Sequence, residues 1–169
     1  MRYGVVFALV AALAVFTACT KQSTTTQGST TIQGSNGPVT ITQDQGSKSV
    51  TFQSKEGTAK LGVGAVDPQS LGLPIYPGAQ PNGNGSLSSE TSQGKSQMLT
   101  METADPFDKV YAFYKDKMPA GSEKSHVAMA GNQMAGFQIG SNTDKVQKSV
   151  TITASGGKTS ILLMVGSKP

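Results

Sequence analysis

The chain of 169 residues has no tryptophan, one cysteine, one histidine and no apolar run long enough to cross a bilayer. A single thiol, Cys19, excludes an internal disulfide, and His126 as the lone histidine excludes a multi-histidine zinc site. The one unbroken apolar stretch, Val5 to Phe16, falls well short of the roughly 20 residues a spanning helix needs. Charged residues make up only 14% of the chain, so much of the surface must be Ser, Thr, Gln and Gly. Aromatics are 6%, which leaves the core to Val, Ile, Leu, Met and Phe. The formal charge of +4 is too weak to argue for a nucleic-acid partner.

What is present begins at the N-terminus. Arg2, the apolar stretch and the small residues behind it read as a secretory signal. The sequence Phe16-Thr17-Ala18-Cys19 resembles the lipobox of bacterial lipoproteins, with Phe16 where Leu is commonest. The resemblance implies cleavage before Cys19, lipid modification of its thiol and export to the cell envelope, with the membrane as a partner. A diacylglycerol thioether with an amide-linked acyl chain is enough for stable anchoring, where one chain is marginal. By the same resemblance, Thr20 behind the cysteine favours the periplasmic face of the outer membrane in a Gram-negative organism.

Four regions follow from composition: a signal peptide (1–18), the lipidated Cys19 with a flexible Ser/Thr/Gln/Gly tether (19–37), a short β-meander (38–65) and an α+β domain (66–169). The tether, if coil, reaches roughly 25 Å. The meander rests on an irregular repeat of the form [TV]-T-[IF]-x-x-x-x-G at Thr30, Val39 and Val50, with a further match at Val150. Alternating β-branched residues ahead of glycine-bearing turns are strand and hairpin signals. The pattern is similar to Thr-rich β-meanders of bacterial surface proteins.

The α+β domain is expected to open on LGLPIYPGAQP, where Tyr76-Pro77-Gly78-Ala79 suits a type II turn. Its helix has Asp105 as expected N-cap, Pro106 as first helical residue and Asp108 in the first turn. Phe107, Val110, Tyr111, Tyr114 and Met118 form one apolar stripe, and Pro119 with Gly121 ends the helix. Strands are expected over 86–90, 96–103, 123–130, 133–141, 146–155 and 158–166, with two-residue turns at Gly131-Asn132 and Gly156-Gly157. Ile161 to Val165 is apolar on both faces, which places that strand centrally in a mostly antiparallel sheet. The pair of motifs PIYPGA and FYKDKMP resembles a small domain recurring in bacterial envelope lipoproteins, which implies a shape and a compartment rather than a reaction.

Little of the sequence reads as chemistry. His126 lies in an expected strand and reads as a structural histidine. Ser92–Lys95 and Ser155–Lys158 match S-x-x-K, but in turns. SGGKTS at 155–160 is half of a phosphate-binding loop; Ile152 stands where the motif needs Gly, and a strand follows where it needs a helix. No cofactor and no nucleotide is therefore expected. Met98, Met101, Met129 and Met134 read as core packing, with Met98 and Met101 on opposite faces of a strand. Ala128, Ala130, Ala135 and Gly136 leave room for a hydrophobic ligand between helix and sheet. Lys109, Lys115, Lys117 and Lys124 offer a basic patch for an anionic lipid or polymer, against the plainer reading of a solvated face.

These residues point to an envelope lipoprotein acting as a non-catalytic binding or structural module, with another envelope protein among its expected partners. A carrier of a hydrophobic ligand is second and an envelope hydrolase third. An apolar cavity under the helix favours the carrier. Converging carboxylates, or a serine near His126, favour the hydrolase.

Overall fold

Eleven strands and one α-helix are formed by the described residues of the computed structural model, which are 24–26, 28–44, 48–129, 131–141 and 143–169. The signal peptide and Cys19 lie outside them. The strands are β1 (Thr24–Thr26), β2 (Ser29–Gly34), β3 (Gly37–Asp44), β4 (Ser49–Ser54), β5 (Gly57–Gly62), β6 (Gln80–Thr91), β7 (Gly94–Thr103), β8 (Glu123–Met129), β9 (Asn132–Ile139), β10 (Val146–Ser155) and β11 (Lys158–Ser167). They form one antiparallel sheet in the order β1-β2-β3-β4-β5-β6-β7-β11-β10-β9-β8. Helix α1 spans Phe107–Lys117, between β7 and β8. This is the expected mostly antiparallel α+β arrangement, with a meander at its N-terminal end.

Two strands correct the sequence reading. β1 and β2 lie within the stretch assigned to a flexible tether, so among the described residues the sheet reaches back to Thr24. Hydropathy hides them because they are built from Thr and Ser, which favour a pleated backbone through branching rather than through apolar burial. β2 is held by its full pairing with β3, including Ile32 opposite Val39 and a hydroxyl pair, Thr31 with Thr40 at 3.1 Å. Nor is the meander a separate appendage. β5 pairs with β6 from Gly57↔Thr91 to Leu61↔Leu87, so the ladder runs on without a break.

The glycine that ends the copy of the repeat at Val50 has a steric cause. At Gly57 φ is +149°, and a Cβ there would run into the backbone carbonyl of Glu90 on the neighbouring strand. Gly94 repeats the arrangement against Ser167. In both hairpins a hydroxyl closes the turn: Ser54 accepts from the Glu56 N–H, and Thr91 accepts from the Gln93 N–H.

The core lies on one face of the C-terminal half. Leu99, Leu163, Val150 and Phe137 form one row across β7, β11, β10 and β9, and Met101, Ile161, Ile152 and Ala135 form the next. The helix stripe docks on it as expected, with Val110 and Tyr114 fully buried and Phe107 and Met118 nearly so. Residues 63–79 cover the rest of this face with Val66, Leu71, Leu73 and Tyr76. The type II turn expected there is present: the Ala79 N–H donates to the Tyr76 carbonyl at 3.2 Å, and Gly78 has φ +80°. β11 sits centrally, between β7 and β10, as its sequence implied.

Three local expectations shift. Pro106, not Asp105, is the N-cap, and no side chain caps the helix. The β8–β9 hairpin closes at Met129↔Asn132, so Asn132 belongs to β9 rather than to the turn. Of the four methionines assigned to the core, only Met101 is buried; Met98 lies on the other face, and Met129 and Met134 are exposed.

Paired residues of a sheet share a face, so register assigns sides along its whole width. In β2–β5 the helix-side face carries Thr31, Thr40, Thr51, Gln53 and Lys60. The opposite, outer face carries Ile32, Val39, Ile41, Val50, Phe52 and Leu61.

Candidate ligand site at the helix N-terminus

Where β7 turns into α1, Asp105 ties three segments together. The Tyr76 hydroxyl donates to its carboxylate at 2.7 Å, Lys109 reaches the same carboxylate at 3.1 Å, and the buried Thr159 hydroxyl donates to its backbone carbonyl at 2.7 Å. These contacts explain why Asp105 does not cap the helix: its oxygens are already engaged. The Tyr76 hydrogen bond, with Lys109 beside it, holds the Asp105 carboxyl below its usual range. Lys109 is raised in return by Asp105, and burial followed by the Asp105 contact raises Tyr76.

Beside this junction a cleft of about 410 Å³ opens between the first turn of α1 and the tips of the β8–β9 and β10–β11 hairpins. That size lies in the range of small-molecule sites. Phe107, Ala104 and Ala154 supply apolar wall, and Gln133, Lys158 and Asp105 stand as polar groups around it. The space exists because Gly131, Gly156 and Gly157 carry no side chains; a Cβ built on any of them meets nothing within 4 Å. Gly156-Gly157 forms the two-residue turn expected from sequence, with φ +61° and +79°. The cleft also borders the uncapped end of α1, whose N-terminal N–H groups favour a polar or anionic group.

The small residues expected to leave a pocket beneath the helix do not do so together. Ala135 is fully buried in the packed core, Gly136 lies on the outer face, Ala128 is exposed, and Ala130 is outside the described residues. Inside the core one anomaly stands out. The Tyr114 hydroxyl is buried and makes no hydrogen bond of ordinary geometry; burial raises its pKa, and the nearby Tyr76 backbone only partly offsets that.

The four lysines read as a basic patch are each occupied. Lys109 pairs with Asp105, Lys117 with Asp116 at 3.0 Å, and Lys124 donates to the Gly121 carbonyl at 3.0 Å. Lys115 bonds the Tyr111 hydroxyl at 3.0 Å, which raises its pKa, and lies 3.9 Å from Glu123. These contacts are local, and Lys109, Lys115 and Lys117 stay more than half exposed. His126 stacks on Tyr111 with ring centroids 4.3 Å apart, and its Nδ1 is 3.9 Å from Glu123. Among the described residues, no three His, Cys, Asp or Glu side chains gather as metal ligands. The S-x-x-K segments lie in the β6–β7 and β10–β11 turns.

Sequence reading missed the Tyr76–Asp105–Thr159 junction, since nothing in spacing connects residues this far apart. The cleft left a trace: glycines and alanines cluster at both hairpin tips.

Residues 83–167, just over half of the chain, match the START domain-like family. The chain belongs to that family. The matched segment of this START-like domain holds β7, α1 and all four strands of the two C-terminal hairpins, and so every wall of the cleft. No curated protein and no solved structure matches the chain.

Proposed function

We propose that the protein is a non-catalytic carrier of a hydrophobic ligand with one polar or anionic end, exported and tied to the envelope membrane through Cys19. The observation that carries the ligand reading is the cleft at the N-terminal end of α1, built wholly from the segment that matches the START domain-like family. The apolar part of the ligand lies along Phe107 and Ala154, and its polar end meets the first-turn N–H groups or Lys158. The packed helix–sheet core argues against a ligand swallowed beneath the helix. Cys19 enters through its lipobox-like setting, which supports export and anchoring. His126, stacked on Tyr111 and Phe107 and 3.9 Å from Glu123, supports a packing role for that residue.

Ala154→Trp fills the cleft. The wild-type protein is expected to bind 1-anilinonaphthalene-8-sulfonate, an apolar dye with an anionic end, and to release it to added fatty acid. Ala154→Trp should lose that binding while keeping its melting temperature. Equal dye and fatty-acid binding by the two proteins would remove the cleft from consideration.

A further inference from the structure

The apolar side chains of the meander point away from the helix and stay well exposed: Ile32 is 44% exposed, Phe52 36% and Leu61 44%. Register carries this surface into the C-terminal half. Val50, Leu61, Leu87, Met98 and Met164 are direct neighbours across five adjacent strands, about 19 Å of sheet at ordinary strand spacing. Isolated apolar residues on a surface are ordinary, but a contiguous row marks a surface that meets something. Charge is sorted with it. The strand residues Asp44 and Lys60 of the meander both stand on the helix-side face, and the outer face of β2–β5 carries no charged strand residue.

The chain length says what lies opposite. β1 begins at Thr24, five residues after Cys19, and five extended residues span at most about 17 Å. Phe52 on β4 is three strand spacings beyond β1, about 14 Å. A lipid on Cys19 therefore keeps the apolar face close to the bilayer, at a high effective concentration. A second copy packed on this face would bury Gln43, Ser89 and Ser96 from both partners. The headgroup region instead leaves such groups hydrated. We infer that the outer face of the meander, with its continuation through Leu87, Met98 and Met164, rests on the bilayer surface to which Cys19 is tied, an inference that depends on lipidation of Cys19. The helix and the cleft then face away from the membrane.

The absence of tryptophan makes the test direct. Phe52→Trp places a sole indole on the outer face, and Gln53→Trp places one on the helix-side face of the same strand. Full chains are produced in a lipoprotein-processing bacterium, the mass of the Cys19 peptide is measured, and the proteins are reconstituted in phosphatidylcholine vesicles with or without brominated acyl chains. Phe52→Trp should be quenched about twofold by the bromines, as befits an interfacial depth. Gln53→Trp should not be quenched, and added salt should change neither result. Leu61→Trp repeats the measurement if Phe52→Trp does not fold. Absence of quenching in a chain whose Cys19 peptide carries acyl mass overturns the inference and leaves the anchor standing. A blue-shifted but unquenched indole with doubled protein mass assigns the face to a second copy and overturns it too. An unmodified Cys19 peptide overturns the anchor and the inference together.

Discussion

The two halves of the sheet share one hydrogen-bonded ladder yet turn their apolar residues to opposite sides. In β7, β9, β10 and β11 the face toward α1 is closed, with Leu163, Ile161, Val150 and Ile152 fully buried. In β2–β5 that same face is mostly Thr, Ser and Gln with Asp44 and Lys60, and the Ile, Val, Phe and Leu residues look the other way. The alternation of a strand decides which residues travel together, but only a covering layer decides which set becomes a core. The C-terminal half has that layer in α1 and residues 63–79. The meander has none among the described residues, and its stability comes from pairing with its neighbours.

The largest expected effect separates the two faces. Val110→Asp puts a charge in a fully buried site and should cost about 4 kcal/mol or more. Leu61→Asp, on the outer face, should shift stability by no more than about 0.5 kcal/mol in detergent-free solution. Urea unfolding of both variants checks this, and equal losses would mean that the outer face is covered after all.

A smaller effect probes the seam between the halves. Gly57→Ala should destabilise by about 2 kcal/mol, since φ is +149° and the added methyl meets the Glu90 carbonyl. The loss should appear in hydrogen exchange first in β2–β5, leaving β9–β11 protected. Uniform loss of protection would show that the halves unfold as one unit.

The smallest effect concerns the junction that locks the covering layer to the sheet. Asp105 has a folded pKa below its unfolded value. Its contribution is therefore fully present above the unfolded carboxylate pKa of about 3.9 and is lost as pH falls through the folded pKa. Asp105→Asn should melt below the wild type at neutral pH, and the gap should close on acidification. A gap independent of pH would mean that geometry rather than charge makes the difference.

The legible parts of the fold were those where local preference and tertiary packing agree. The helix stripe, the Tyr76–Ala79 turn, the Gly156-Gly157 hairpin and the central position of β11 all satisfy their own short-range chemistry where they stand. The misread parts follow long-range partners. β1 and β2 owe their form to neighbours across the ladder and not to hydropathy. Asp105 has the right residue type for a cap but is drawn away by Tyr76, 29 positions earlier, and by Lys109. The cleft was legible only as a surplus of small residues, because a cavity is defined by what its lining lacks.

One pairing has a consequence for the order of events in folding. Every neighbouring pair in the sheet is also adjacent along the chain, apart from β7 with β11. Most of these pairs close over short turns, and β5 with β6 over residues 63–79, whereas β7 and β11 meet only after the intervening helix and three strands are gathered in. Forming that contact carries the largest loop-closure entropy in the molecule. The Leu99↔Leu163 and Met101↔Ile161 contacts are thus expected to form late in folding. Until they form, the molecule is two separate meanders competing with intermolecular pairing at the exposed edges of β7 and β11.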